Sequence, residues 1–73
     1  MKVIITNKIE QKVLEYQERT GATKRFMANK MGIPSQSIYQ TFKSTNLNLE
    51  TLIKFSIVLG CDIADLYSYE IIE

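Results

Sequence analysis

Apolar positions recur along this chain at helical spacing in four stretches, separated by short polar or glycine-bearing breaks. Ile9, Val13 and Tyr16, followed by Thr20, lie three or four residues apart, and Gly21 comes next as a stop. Asn7 ahead of this run, with Glu10 three residues on, matches a capping box, so the pattern predicts a first helix over about residues 8–20. Thr23 suits the cap of a second, short helix over about residues 23–31, with Met27, Ala28 and Met31 inward and Gly32 ending it. Pro34 disfavours helix at Ile33 and suits a helix start, so a third helix is expected over about residues 35–43, with Ile38 and Phe42 as its apolar pair. Ser44, Thr45 and Asn46 form a polar loop. Asn48 then caps a fourth helix over about residues 49–59, where Leu49, Leu52, Ile53, Ile57 and Leu59 supply the apolar face and Gly60 the end. A last helical turn over about residues 63–67 is expected behind Asp62, with Asp65 at its third position and Ile63 and Leu66 inward.

The two ends depart from this period. The segments at about residues 2–6 and 67–72 are rich in β-branched and aromatic residues, which suit strands. Pairing with each other, pairing with the same segments of a second chain, and fraying all remain open on pattern alone. The fold expected is all-α: a compact domain of four to five helices with short terminal strands, residues 1–73 forming one domain.

Seventy-three residues build a modest core, and composition removes the usual staples. Cys61 is the only cysteine and there is no histidine, so neither a disulfide nor a Cys/His zinc site is available, and no cofactor is expected. The same lack fits a reducing cytoplasm. The apolar run after Met1 is far too short for a signal sequence or a membrane span, and no membrane partner is expected. With no histidine, no paired acids and one unactivated cysteine, no nucleophile–base pair can be assembled, so the chain is not read as an enzyme. Met27 and Met31 belong to the core, and Cys61 is a small hydrophobe. Phe26 is left with two readings, a partner contact or a fold-back onto the N-terminal segment.

Net charge is only +1, but its distribution is uneven. Charges cancel over residues 1–18. From Arg19 to Leu49 there is no acidic residue, while Arg19, Lys24, Arg25, Lys30 and Lys43 give +5. From Glu50 onward the balance is −4. A positive middle third attracts phosphate and makes binding salt-dependent, although a solvated face with chance clustering gives the same count.

Two short helices joined by a glycine-bearing turn make a helix-turn-helix unit, whose second helix fits the major groove of duplex DNA. The exposed positions of the third helix are Ser35, Gln36, Tyr39, Gln40 and Lys43. Gln36 and Gln40 lie four apart on one face, and glutamine can bond adenine through N6 and N7. The stretch TGATKRFMANKMGIPSQSIYQTFKSTNLNLETLIKFSIVLGCDIADLY resembles the lambda-repressor-like (Cro/XRE) DNA-binding family. The resemblance rests on Thr23, Ala28, Gly32, Ile33 and Ile38, and then on the spacing of Leu49, Leu52, Leu59, Gly60, Ile63, Asp65 and Leu66.

The resemblance implies roles residue by residue. Ser35, Gln36, Tyr39 and Gln40 stand where the family reads bases. Lys24 stands where it bonds backbone phosphate, Arg25 adjoins it, and Lys43, Ser44 and Thr45 fall where the loop after the recognition helix meets phosphate. It also implies a homodimer on two-fold-related half-sites, acting as a repressor of phage or mobile-element type by occupying its operator. Four departures stand against the pattern. Pro34 replaces the usual Ser or Thr cap, which leaves Ser35 to supply it. Thr41 takes a position usually aliphatic, leaving Phe42 to fill the core. The loop after the third helix is short and lacks glycine and proline, and Phe26 takes a position usually polar. The alternative is a protein–protein interaction module or antirepressor that keeps the fold without reading DNA; the apolar ends and Phe26 favour it, and the acid-free middle opposes it.

Overall fold

The computed structural model describes residues 1–73, and its elements follow from where apolar side chains can meet. In chain order they are β1 (Lys2–Asn7), α1 (Ile9–Thr20), α2 (Lys24–Met31), α3 (Ser35–Phe42), α4 (Leu49–Leu59), a single 3₁₀ turn (Ile63–Asp65) and β2 (Tyr67–Ile72). Ile9 and Val13 of α1, Met27, Ala28 and Met31 of α2, Ile38 of α3, and Leu52, Phe55 and Leu59 of α4 form one buried cluster, which Leu66 completes. Every member is apolar, and no buried side-chain polar atom lacks a partner. Each large side chain so buried contributes about 1.5–3 kcal/mol relative to exposure, enough over this set to hold four short helices that would not persist alone.

Helix α4 has the expected bounds but a different inward face. Leu52, Phe55 and Leu59 are buried, whereas Leu49, Ile53 and Ile57 are 64%, 41% and 74% exposed. Its sequence, LETLIKFSIVL, carries apolar residues almost all round, so the period alone does not choose a face. Packing against α1 and α2 chooses the one with Phe55, the largest side chain fully withdrawn from water. Thr20, which closes the helical period of α1, is exposed, and its hydroxyl donates to the Tyr16 carbonyl at 2.8 Å.

The helix ends show where side-chain caps form. Thr23 Oγ1 accepts the Phe26 N–H at 3.1 Å, and Asn48 Oδ1 accepts that of Thr51 at 3.2 Å. Asn7 is not the N-cap of α1. Lys8 holds that position, Glu10 returns no bond, and Asn7 closes β1 while its Oδ1 accepts the Ile9 N–H at 2.9 Å. Ser35 does not cap α3 either; Pro34 precedes the helix with extended backbone and no side-chain cap bond, and its carbonyl accepts the Ser37 N–H at 3.0 Å. The last helical turn closes at Asp65 rather than at residue 67, because Leu66 enters the core and the chain then extends into β2.

The terminal segments pair with each other within the chain. They form an antiparallel two-stranded ribbon whose register sets Val3 opposite Ile71, Ile5 opposite Tyr69 and Asn7 opposite Tyr67. Only the ribbon's base, at Asn7, Tyr67 and Ser68, is half-buried; the rest is exposed, in a molecule measuring 42 × 22 × 17 Å.

Candidate nucleic-acid interface

The turn between α2 and α3 rests on Gly32. Its φ of +70° lies in the left-handed region that glycine enters without strain. Its N–H and that of Ile33 return to carbonyls of Asn29 and Ala28, closing α2 so that Pro34 can open α3. Ile38 then pins α3 to the core, and the opposite face of the helix is left to solvent.

That face carries Gln36, Tyr39 and Gln40, all exposed, with Ser35 half-buried beside them. Tyr39 is 54% exposed, and its ring lies edge-on to Phe42 at 6.0 Å between centroids. Lys24, at the first position of α2, sets its Nζ 5.2 Å from the centre of the Tyr39 ring. Thus the candidate phosphate-binding lysine and the candidate base-reading tyrosine are brought together across the two helices. Thr41 resolves its departure from the family pattern locally: its hydroxyl donates to the Ser37 carbonyl at 2.7 Å, while Phe42 packs against the core.

The loop residues differ from one another. Lys43 is exposed at the C-terminal end of α3, and Thr45 is exposed beyond it. The Ser44 hydroxyl is engaged within the loop, donating to the Asn46 carbonyl at 3.1 Å and accepting the Asn46 N–H at 3.2 Å. Arg25 is exposed. The only ion pair, Lys12 to Glu15 at 3.6 Å, lies on α1, so Lys24, Arg25, Lys30 and Lys43 have no carboxylate partner and their charge is available to phosphate. Lys30 stacks on Phe26 at 5.2 Å. Phe26 does not fold onto the N-terminal segment; it borders a shallow hollow with Tyr16 and Ala22 where α1 turns into α2.

One residue of the site escaped the sequence pattern. Asn7 donates from Nδ2 to the Thr41 carbonyl at 2.7 Å and to the Ser44 carbonyl at 2.8 Å, across 34 and 37 positions of chain. These carbonyls lie at and just beyond the end of α3, where helical donors run out, and that of Thr41 also accepts the Ser44 N–H at 3.2 Å. The base of the ribbon therefore latches the end of the candidate recognition helix. An asparagine before a helix carries a capping signal, and nothing local points so far along the chain.

Elsewhere no reactive group emerges. Burial, then the neighbouring Asp65, pushes the Cys61 thiol above its ordinary value, the opposite of what a nucleophilic thiolate needs. No group of His, Cys, Asp and Glu side chains is arranged to hold a metal ion, and no helix is long and apolar enough to cross a membrane. A family model described as the Cro/C1-type HTH DNA-binding domain matches residues 2–70. No curated protein and no solved structure matches the chain.

Proposed function

The chain belongs to the Cro/C1-type HTH DNA-binding domain family, a non-enzymatic family of DNA-binding regulators, and from that premise we propose that it binds duplex DNA in a sequence-specific manner as a homodimer. Residues 1–73 act as one unit, in the cytoplasm, as a repressor of phage or mobile-element type that works by occupying its operator. No reaction is assigned to it. The observation that carries this reading is the outward face of α3, where the exposed side chains of Gln36, Tyr39 and Gln40 make no hydrogen bond within the chain and Lys24 lies over the Tyr39 ring.

Gln36 and Gln40 bond base edges, Ser35 and Tyr39 complete the reading face, and Lys24, Arg25, Lys43 and Thr45 contact phosphate. Ser44 contributes by its place in the loop, its hydroxyl being engaged there already. Phosphate contacts supply most of the affinity and α3 supplies the sequence preference. Selection of bound fragments from a random duplex library, at physiological salt with excess competitor, tests this. The expected outcome is a palindromic motif with half-sites about one helical turn apart. Replacing Gln36 and Gln40 together by Ala is expected to remove about 1–3 kcal/mol of discrimination at each contacted base while leaving non-specific binding in place. A library that yields no motif, with retention lost on modest addition of salt, refutes the reading. A protein-interaction module would then be the reading to pursue, since α4 presents apolar side chains outward.

A further inference from the structure

A two-stranded ribbon is marginal in water unless one of its faces is covered. Strand alternation places Val3 and Ile5 of β1 on the same face as Tyr69 and Ile71 of β2, and all four side chains are exposed. At the ribbon's base Ile5 and Tyr67 line a groove with Leu47, Leu49, Leu52 and Ile63, the Tyr67 hydroxyl being the one polar side-chain group among them. From Leu49 the surface continues along α4 through Ile53 and Ile57, spaced four apart on the side turned away from the core.

We propose that this continuous surface, comprising ribbon face, groove and the outer stripe of α4, seats a second copy of the chain about a two-fold axis. Three observations select that occupant. The exposed fractions of Val3, Ile5, Tyr69, Ile71, Leu49, Ile53 and Ile57 amount to about four whole side chains, on the order of 700 Å². That exceeds the apolar patch of a typical monomer and approaches the ~800 Å² that each partner contributes to a standard interface. None of the seven is charged, so the surface can meet its own copy without like-charge repulsion, as a two-fold contact requires. The surface also shares no residue with the Gln36–Gln40 face, so both can be occupied at once. Because Asn7 ties the ribbon's base to the end of α3, a contact that fixes the ribbons also fixes the angle between the two reading helices.

This inference deepens the dimeric reading above, and it is tested without DNA. Sedimentation equilibrium of the whole chain over the micromolar range is expected to show a weight-average mass rising toward twice the 8.4 kDa chain. Ile53→Glu with Ile57→Glu, both exposed and outside the core, is expected to raise the dissociation constant about a hundredfold or more. Val3→Glu with Tyr69→Glu, on the ribbon, is expected to do the same. Far-UV circular dichroism and melting under conditions where both proteins are monomeric confirm that the variants fold. A wild-type chain that stays monomeric throughout overturns the proposal, as does a dimer that survives both pairs of substitutions. A dimer sensitive to both pairs, together with a library that yields no motif, leaves this surface standing and removes only the DNA reading.

Discussion

Asn7 uses both of its amide protons and its oxygen, and through them a strand end, a helix start and a helix end become one unit. Its replacement by Ala removes the donor to the Ser44 carbonyl and one of the two donors to that of Thr41, and is expected to destabilise the fold by about 1–3 kcal/mol, read from the urea midpoint. Asn7→Asp is expected to be no better. A carboxylate cannot donate, and its charge would face the negative end of α3. If the latch also sets the reading helix, these variants at temperatures where they remain folded should weaken binding to the selected motif more than to random duplex. Equal weakening of both would limit Asn7 to stability. Among the residues marked in advance for DNA, only Ser44 turns out to have its hydroxyl engaged by a neighbour, because the short loop after α3 closes on it.

At the level of elements, the helix-turn-helix depends on a backbone conformation more than on any side-chain contact. A Cβ built on Gly32 meets nothing within 4 Å, so the cost of a side chain there is conformational alone. Gly32→Ala is therefore expected to lower stability by about 1–2 kcal/mol, and Gly32→Asn by less, since asparagine tolerates the left-handed region. A circular-dichroism melt of the two variants checks the order; equal loss would point to a contact rather than to φ. Helices α2 and α4 were legible because Thr23 and Asn48 carry local capping chemistry and glycine follows each helix. The inward face of α4 was not legible, because apolar residues surround that helix and only its neighbours decide which ones they cover.

The whole molecule separates its charges while staying near neutral. The basic stretch from Arg19 to Lys43 contains α2 and α3, whereas α4 is neutral, with Glu50 against Lys54, and the acidic excess falls on Asp62 and Asp65 at the 3₁₀ turn and on Glu70 and Glu73 at the C-terminal end. A dimer that places Lys24, Arg25 and Lys43 of each protomer on phosphate releases about six counterions, so the logarithm of the binding constant should fall against that of salt with a slope of about −5. Lys43→Ala is expected to flatten that slope by about two units and to leave the preferred motif unchanged. A slope that does not respond would take Lys43 out of the interface.

The helices and their order, the glycine-bearing turn, the basic middle and the exposed positions Gln36, Tyr39 and Gln40 of α3 could all be had from the chain's own pattern. Each rests on interactions within a few residues: a cap, a stop, a period, a run without acids. The partner of each terminal strand, the outward turn of Leu49, Ile53 and Ile57, the stacking of Lys24 on Tyr39 and the latch from Asn7 to α3 came from the folded molecule. They join residues far apart in the chain, or choose between faces that look alike in one dimension, and such choices are made by which surfaces can exclude water together.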